Sequence, residues 1–407
     1  MPISTAAARG ITDEFNRRRG PKTGLVIGAA WNDNVLKSAL ESLMPDDKLT
    51  VVTDAVDEVR RGLDEEGSWT SGNVDVLADV QEAAAVDHIM LATPVTVEAE
   101  EFINDIETLK QKVEAGGTLT FAATLTAPAR EEIAELVADH GIGSDLIARS
   151  FPPLRIHKLR FDSAQSKNDT DDIAPAWRAS SVPVSPGMHV DSNGVIAAGL
   201  CLGAALITKR LRPKSKAWMV PAALSLPVGA FFRDPERAAD VAGMDPDPDS
   251  VLAASDGTVT AIETVVDERF GAATGNAGSD WLRISVFLSI LDVHINRAPV
   301  SGNVVDIFTE TGGFVNAMKP ESEHNAACYT VFDTGRGRVA VAQRTGMIAR
   351  RIVNRSKIGA TVAKGERYGL IRFGSRTDIY LPQGEAQALV EPGDTVRGGE
   401  SVLARWS

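Results

Sequence analysis

Midway along the chain, residues 192–208 and 217–232 carry no charged side chain. Between them residues 209–216 hold five cations, Lys209, Arg210, Arg212, Lys214 and Lys216. Two uncharged runs of this kind need an apolar partner, either a protein core or lipid. They are 17 and 16 residues long, and the second contains Pro221 and Pro227. Each is short of the roughly 20 residues that cross a bilayer. The pattern predicts a helical hairpin. Two placements stay open: burial in protein with a solvated turn, or a membrane surface with the cations at anionic headgroups.

The hairpin divides a chain of 407 residues, long enough for two or three domains. Residues 1–177 hold 17 Lys/Arg against 31 Asp/Glu, and the remainder holds 25 against 24. An acidic first part and a balanced second part imply two units of different character. Neither has the concentrated basic face of a nucleic-acid binder. Two cysteines, Cys201 and Cys328, build no disulfide framework and no thiolate zinc site. A reducing compartment and no metal are expected. The first ten residues lack the apolar core of a signal peptide.

Residues 22–160 alternate strand-like and helix-like stretches, which argues for a parallel sheet with covered faces. Gly24-Leu25-Val26-Ile27-Gly28 is a buried run ending in Gly. Residues 49–54 form a second, ending in Asp54. The expected divisions are a Rossmann-like α/β domain over 1–161, a polar linker over 162–180, the apolar hairpin over 181–237 and a β-rich domain over 238–407. In that last part short β runs are punctuated by Gly, as in a compact barrel or sandwich. A weak repeat runs through it: residues 359–366 (GATVAKGE) recur as 393–400 (GDTVRGGE).

Four segments of the second half carry candidate chemistry. They are residues 231–237 (FFRDPER), 254–259 (ASDGTV), 287–300 (FLSILDVHINRAPV) and 368–382 (YGLIRFGSRTDIYLP). Ser375 follows Gly374, so little steric bulk shields the preceding carbonyl from its hydroxyl. A Ser hydroxyl needs a base to become a nucleophile, and His is the usual one. Of six histidines, His294 is the one set in a dense polar run with Asp292, Asn296 and Arg297. Asp256 lies in an Asp-Gly turn that can hold a carboxylate rigidly. On spacing alone an Asp-Gly is equally a plain turn, and a single His equally a core or surface group.

Taken together and in this order, the four segments resemble the phosphatidylserine decarboxylases of the short prokaryotic type. Residues 346–353 add to the match, which covers roughly 178–407. The resemblance implies a proenzyme that cuts itself between Gly374 and Ser375. It implies Ser375 as nucleophile, His294 as general base and Asp256 as the partner orienting that base. The implied products are β chain 1–374 and α chain 375–407, the latter capped by a covalent pyruvoyl group made from Ser375. That group would form a Schiff base with the amine of phosphatidylserine, and CO2 would leave. Arg297 and Arg376 are the candidates for the lipid phosphate. The substrate stays in the bilayer, so the resemblance implies a peripheral or monotopic protein on the cytoplasmic face of the cell membrane. A homodimer is left open.

The first domain is similar in layout to S-adenosylmethionine-dependent methyltransferases, with Gly28 and Asp54 as the candidate cofactor contacts. Its first loop, Gly28-Ala29-Ala30-Trp31-Asn32-Asp33, departs from the several glycines usual there. A scaffold without cofactor is the favoured reading of this domain. The rival readings of the whole chain are three. One is a decarboxylase for another serine lipid, such as archaetidylserine. Another is a lipid-binding homologue without catalysis. The third is a bifunctional protein that also methylates lipid.

Overall fold

The computed structural model describes residues 3–147, 150, 152–162, 173–178, 180–241, 247–271, 280–347, 351–372 and 375–407. The chain divides into two compact units, 1–179 with 357–361, and 180–356 with 362–407.

The first unit holds helices α1 (Thr5–Ile11), α2 (Asp13–Asn16), α3 (Asn34–Leu40), α4 (Val56–Glu66), α5 (Ser68–Asn73), α6 (Ala99–Lys110) and α7 (Arg130–His140). Its strands are β1 (Thr23–Ile27), β2 (Lys48–Val52), β3 (Val74–Leu77), β4 (Val86–Leu91), β5 (Val113–Thr124), β6 (Gly141–Ile147) and β7 (Leu154–Leu159), in the sheet order β3-β2-β1-β4-β5-β7-β6. Strands β1 to β5 pair in parallel, and β7 is antiparallel to both of its neighbours. Strand β1, interior in the sheet, carries the apolar run Leu25-Val26-Ile27 because both of its faces are covered. Val26 packs with Ile11, Val35 and Val59 on one side, and Leu25 with Phe102, Ile106 and Ile133 on the other. This is the Rossmann-like α/β architecture expected from the strand-helix alternation.

Residues 357–361 complete this unit. The Arg160 guanidinium donates to the Gly359 carbonyl (2.5 Å) and to Thr361 Oγ1 (3.1 Å), and Arg17 donates to the Thr361 carbonyl (3.2 Å). Of the stretch expected as a linker, 163–172 and 179 lie outside the described residues. Its later part is packed: the Trp177 amide donates to Asp13 Oδ1 (2.8 Å) and Ile173 is buried.

The second unit opens with strands β8 (Ser181–Ser185) and β9 (Met188–Asp191), followed by α8 (Ser192–Leu211), α9 (Met219–Phe231) and β10 (Arg233–Pro235). The two helices are the expected hairpin. Asp191 caps α8 by accepting from the Asn193 amide (2.9 Å), and Lys209 and Arg210 lie in its last turn, where the helix dipole favours cations. The hairpin is not buried: Leu206 is 69% and Leu226 77% exposed. By length and composition α8 is apolar enough to cross a membrane. Its 20 residues extend about 30 Å.

The rest is β-rich, as expected. Strands β11 (Ser250–Leu252), β12 (Gly257–Val266), β13 (Asp280–Leu288), β14 (Ile295–Arg297), β15 (Gly302–Glu310), β16 (Ala327–Thr334) and β17 (Gly337–Arg344) come first. They are followed by β18 (Ile352–Asn354), β19 (Thr361–Val362), β20 (Arg367–Ile371), β21 (Ser375–Pro382), β22 (Ala386–Ala388), β23 (Thr395–Val396) and β24 (Val402–Trp406). Eight form one sheet, β19-β15-β16-β17-β21-β13-β12-β23, and two three-stranded sheets, β11-β24-β22 and β14-β20-β18, accompany it. Ile379 and Leu381 of the large sheet share a core with Val251 and Leu403 of one small sheet and Tyr368 of the other. The internal repeat is structural. Each copy has glycines at positive φ in the same two places, Gly359 and Gly365, Gly393 and Gly399. Each contributes a two-residue strand, β19 and β23, at opposite edges of the sheet.

Candidate active site

Strand β21 lies between β17 and β13, and all eight of its residues are buried. Strand alternation sends Ser375, Thr377, Ile379 and Leu381 to one face and Arg376, Asp378 and Tyr380 to the other. Ser375 is fully buried, and its Oγ has no hydrogen-bond partner among the described residues. Leaving a buried hydroxyl unsatisfied costs about 1–3 kcal/mol, so one kept at the head of a central strand is a functional candidate. Two residues on, Thr377 Oγ1 is 2.8 Å from Ser255 Oγ, which fixes the segment beside Asp256 to the same strand. Gly374 lies outside the described residues, as do 348–350 of the stretch 346–353.

His294 is 2% exposed. Its Nδ1 lies 2.9 Å from the Asp292 carbonyl, which can only accept, so the neutral ring carries its proton on Nδ1 and its lone pair on Nε2. Burial pushes its pKa down to about 4, against the smaller opposing effect of that hydrogen bond. The ring of Phe231, the last residue of α9, sits 4.3 Å away centre to centre. The apolar hairpin thus ends against the imidazole.

The structure gives protein partners to three of the residues expected above. Among the described residues no hydrogen bond joins His294 to Asp256. Its carboxylate accepts both oxygens' bonds from Arg237 Nη2 (2.9 Å each) and one from the Gly398 amide (2.8 Å). The Asp292 carbonyl orients the ring instead, because the turn over residues 289–292 brings that carbonyl back onto its own chain neighbour. Arg297 and Arg376 are turned inward onto protein acceptors. Arg297 is 2% exposed and pairs with both Asp240 oxygens (2.9 Å each) and the Gly365 carbonyl (2.9 Å). Arg376 donates to Asp378 Oδ1 (2.5 Å) and Ser285 Oγ (2.9 Å) on the sheet face opposite Ser375. Both guanidinium groups are thus held by buried protein acceptors.

Asp378 is shared between Arg376 and Arg344, whose Nε is 2.6 Å from Oδ2. Burial alone would raise the Asp378 pKa, but the two guanidinium groups hold it below the usual carboxylate range. Sequence reasoning had no signal for Arg344, nor for Gln343, which lies opposite Thr377 in the ladder. Asn296 was visible only as a polar neighbour of His294.

In the α/β unit Gly28 has a φ of +78° and Asp54 is exposed after β2. Of the rest of the loop, Ala30 and Asn32 are exposed and the others are engaged with the fold. Ala29 is fully buried, and Asp33 is used to cap α3 by accepting from the Val35 amide (2.7 Å). The Trp31 indole lies so close to α4 that a Cβ on Gly62 would fall 2.1 Å from it. Of the glycine-lined cradle expected for S-adenosylmethionine, this loop supplies Gly28 alone. Among the described residues no cluster of His, Cys, Asp and Glu could hold a metal.

Comparison with solved structures finds the precorrin-6y C5,15-methyltransferase of Geobacter metallireducens (12% identity, TM-score 0.30, 38% of this chain and 87% of that one). It also finds a methyltransferase of Pyrococcus furiosus (14%, 0.32, 39% and 82%). A likeness at that level carries no argument about activity. The sequence comparisons reach further. The phosphatidylserine decarboxylase family pattern matches residues 225–404. The phosphatidylserine decarboxylase proenzyme of Thermobifida fusca is 42% identical over half of this chain and 85% of its own length. That of Trichlorobacter lovleyi is 42% identical over 47% and 84%, and that of Erythrobacter litoralis 40% over 54% and 88%. The matched span contains Ser375, His294 and all eight strands of the large sheet, and with the curated relatives it places this chain in the phosphatidylserine decarboxylase family, a family of carboxy-lyases.

Proposed function

We propose that the chain is a proenzyme that cuts itself between Gly374 and Ser375 and then decarboxylates phosphatidylserine to phosphatidylethanolamine. The observation that carries this reading is the buried Ser375 hydroxyl at the head of β21, which has no hydrogen-bond partner among the described residues. His294, neutral at pH 7 and with its lone pair on Nε2, takes the hydroxyl proton. Oγ attacks the Gly374 carbonyl, and the peptide bond becomes an ester with the Ser375 amino group released. Loss of the Ser375 α-proton expels the Gly374 carboxylate from Cβ and leaves dehydroalanine. Water then replaces the amine, ammonia departs, and residue 375 ends as pyruvoyl. The Ser375 position fits that group, since nothing described ties its hydroxyl. The pyruvoyl group supplies a ketone for the lipid amine and an electron sink when CO2 leaves. His294 is then the candidate to place a proton on the carbon that lost CO2.

We assign Asp256 a positioning role. It joins Arg237 of the upstream chain to Gly398 of the downstream chain, and so holds the two products of the cut together. We assign catalysis to residues 238–407 and attachment to the hairpin over 181–237. Its exposed apolar helices and five exposed cations suit the anionic cytoplasmic face of a membrane. We assign residues 1–161 to a scaffold.

The test is intact mass under denaturing conditions, wild type beside Ser375→Ala. Wild type is expected as two chains split at 374/375, the smaller blocked at its N-terminus, and the variant as one chain. A wild type that stays whole would overturn the reading. Assays of the cut enzyme on phosphatidylserine and on an archaetidylserine then fix the lipid backbone.

A further inference from the structure

Two amides beside the candidate site are paired with each other and left half satisfied. Gln343 Nε2 donates to Asn296 Oδ1 at 2.7 Å, and both residues are fully buried. Asn296 Nδ2 and Gln343 Oε1 have no hydrogen-bond partner among the described residues. Reversing both amides leaves one N–H group and one carbonyl oxygen unpaired all the same. Each unpaired group costs about 1–3 kcal/mol in a buried site. The backbone also keeps room for the pair. Gly369 is the ladder partner of Asn296, and a Cβ there would come 2.9 Å from Gln343 Nε2 and 2.4 Å from the Val353 carbonyl.

The pair stands at the reacting centre. Asn296 is two residues after His294. Gln343 is opposite Thr377, which shares a strand face with Ser375. A serine headgroup presents a carboxylate, which only accepts, and an ammonium, which only donates. That is the complement of one free amide N–H and one free amide carbonyl.

Resting on the decarboxylase reading, we propose that Asn296 and Gln343 recognise the serine headgroup. The amide N–H of the pair binds the carboxylate, and the amide carbonyl binds the nitrogen. The ethanolamine product lacks the carboxylate and strands the donor again. The pair therefore favours serine over ethanolamine lipid and weakens product binding.

The experiment compares wild type with Asn296→Leu, Asn296→Asp and Gln343→Met. Intact mass follows self-cleavage, and CO2 release from phosphatidylserine in mixed micelles gives kcat and KM. All variants are expected to cut at 374/375, which also reports folding. The KM for phosphatidylserine is expected to rise about 10- to 100-fold in Asn296→Leu and Gln343→Met, the loss of one hydrogen bond to a charged group. It should rise further in Asn296→Asp, which sets one carboxylate against another. Inhibition by phosphatidylethanolamine should change far less. If a single variant does not fold, Asn296→Leu with Gln343→Met replaces it, because removing both partners strands neither. An unchanged KM in cut enzyme overturns the assignment. So does a folded double variant that no longer cuts itself, which would give the amides to maturation. A cut wild type that releases no CO2 from phosphatidylserine overturns the decarboxylase reading and this assignment with it.

Discussion

Phe231 closes α9 with its ring 4.3 Å, centre to centre, from that of His294. The same side chain ends an apolar helix and removes water from the candidate base. Burial is the main cause of the low His294 pKa, about 4. Phe231→Ala is expected to admit water and move that value up toward 6.5. In precursor made by cell-free synthesis, the wild-type rate of self-cleavage should be flat from pH 8 to about 5. In the variant its acid limb should shift up by about one unit or more. A superimposable profile would separate Phe231 from the base.

The α/β unit should be acid-sensitive. Burial lowers the pKa of His88 to about 3 and of His157 to about 4. Both folded values lie below the unfolded value, so the unfolded chain binds protons first as pH falls. The stability is complete above about pH 6.5 and is lost as pH drops toward 4. Thermal unfolding between pH 7 and 4 should show Tm falling across that window. His157→Gln should flatten the fall, and an unchanged slope would reject this cause.

Asp378→Asn should be among the most damaging single substitutions. It leaves the buried Arg344 and Arg376 without their shared carboxylate on a central strand. Breaking such a pair costs about 3–5 kcal/mol. The expected readout is a precursor that unfolds at much lower urea and fails to cut. A loss under 1 kcal/mol would mean the network contributes little.

The hairpin should bind membranes by two separable terms. Replacing Lys209, Arg210, Arg212, Lys214 and Lys216 by Gln should abolish salt-dependent binding to anionic vesicles and spare binding to neutral ones. Replacing the exposed Leu206, Ile207 and Leu226 by Ser should weaken both. Vesicle sedimentation at low and high salt separates the two outcomes.

Titration of the protein with S-adenosylmethionine should give neither heat nor a rise in Tm. Trp31 and Asp33 are committed to α4 and α3. A rise of several degrees at millimolar ligand would return this domain to the methyltransferases.

Much of this protein was legible in the order of its residues. Local patterns carry the period of a strand, the length of a helix and the glycines of a turn. The strand-helix alternation of 22–160, the hairpin of 192–232 and the repeated turns at 359–366 and 393–400 could therefore be read directly. Ser375 and His294 lay in motifs dense enough to stand out. The partners were not legible, because a hydrogen bond between residues far apart in sequence leaves no local pattern. Whether His294 leans on Asp256 or on Asp292 depends on how one turn folds back, and the fold chose the near carbonyl. Whether Arg297 and Arg376 face lipid or protein depends on which sheet face and which carboxylate they meet. The Asn296–Gln343 pair joins residues 47 apart through the register of the sheet. Chain order supplied the candidate groups, and only tertiary packing decided which of them are tied to protein partners.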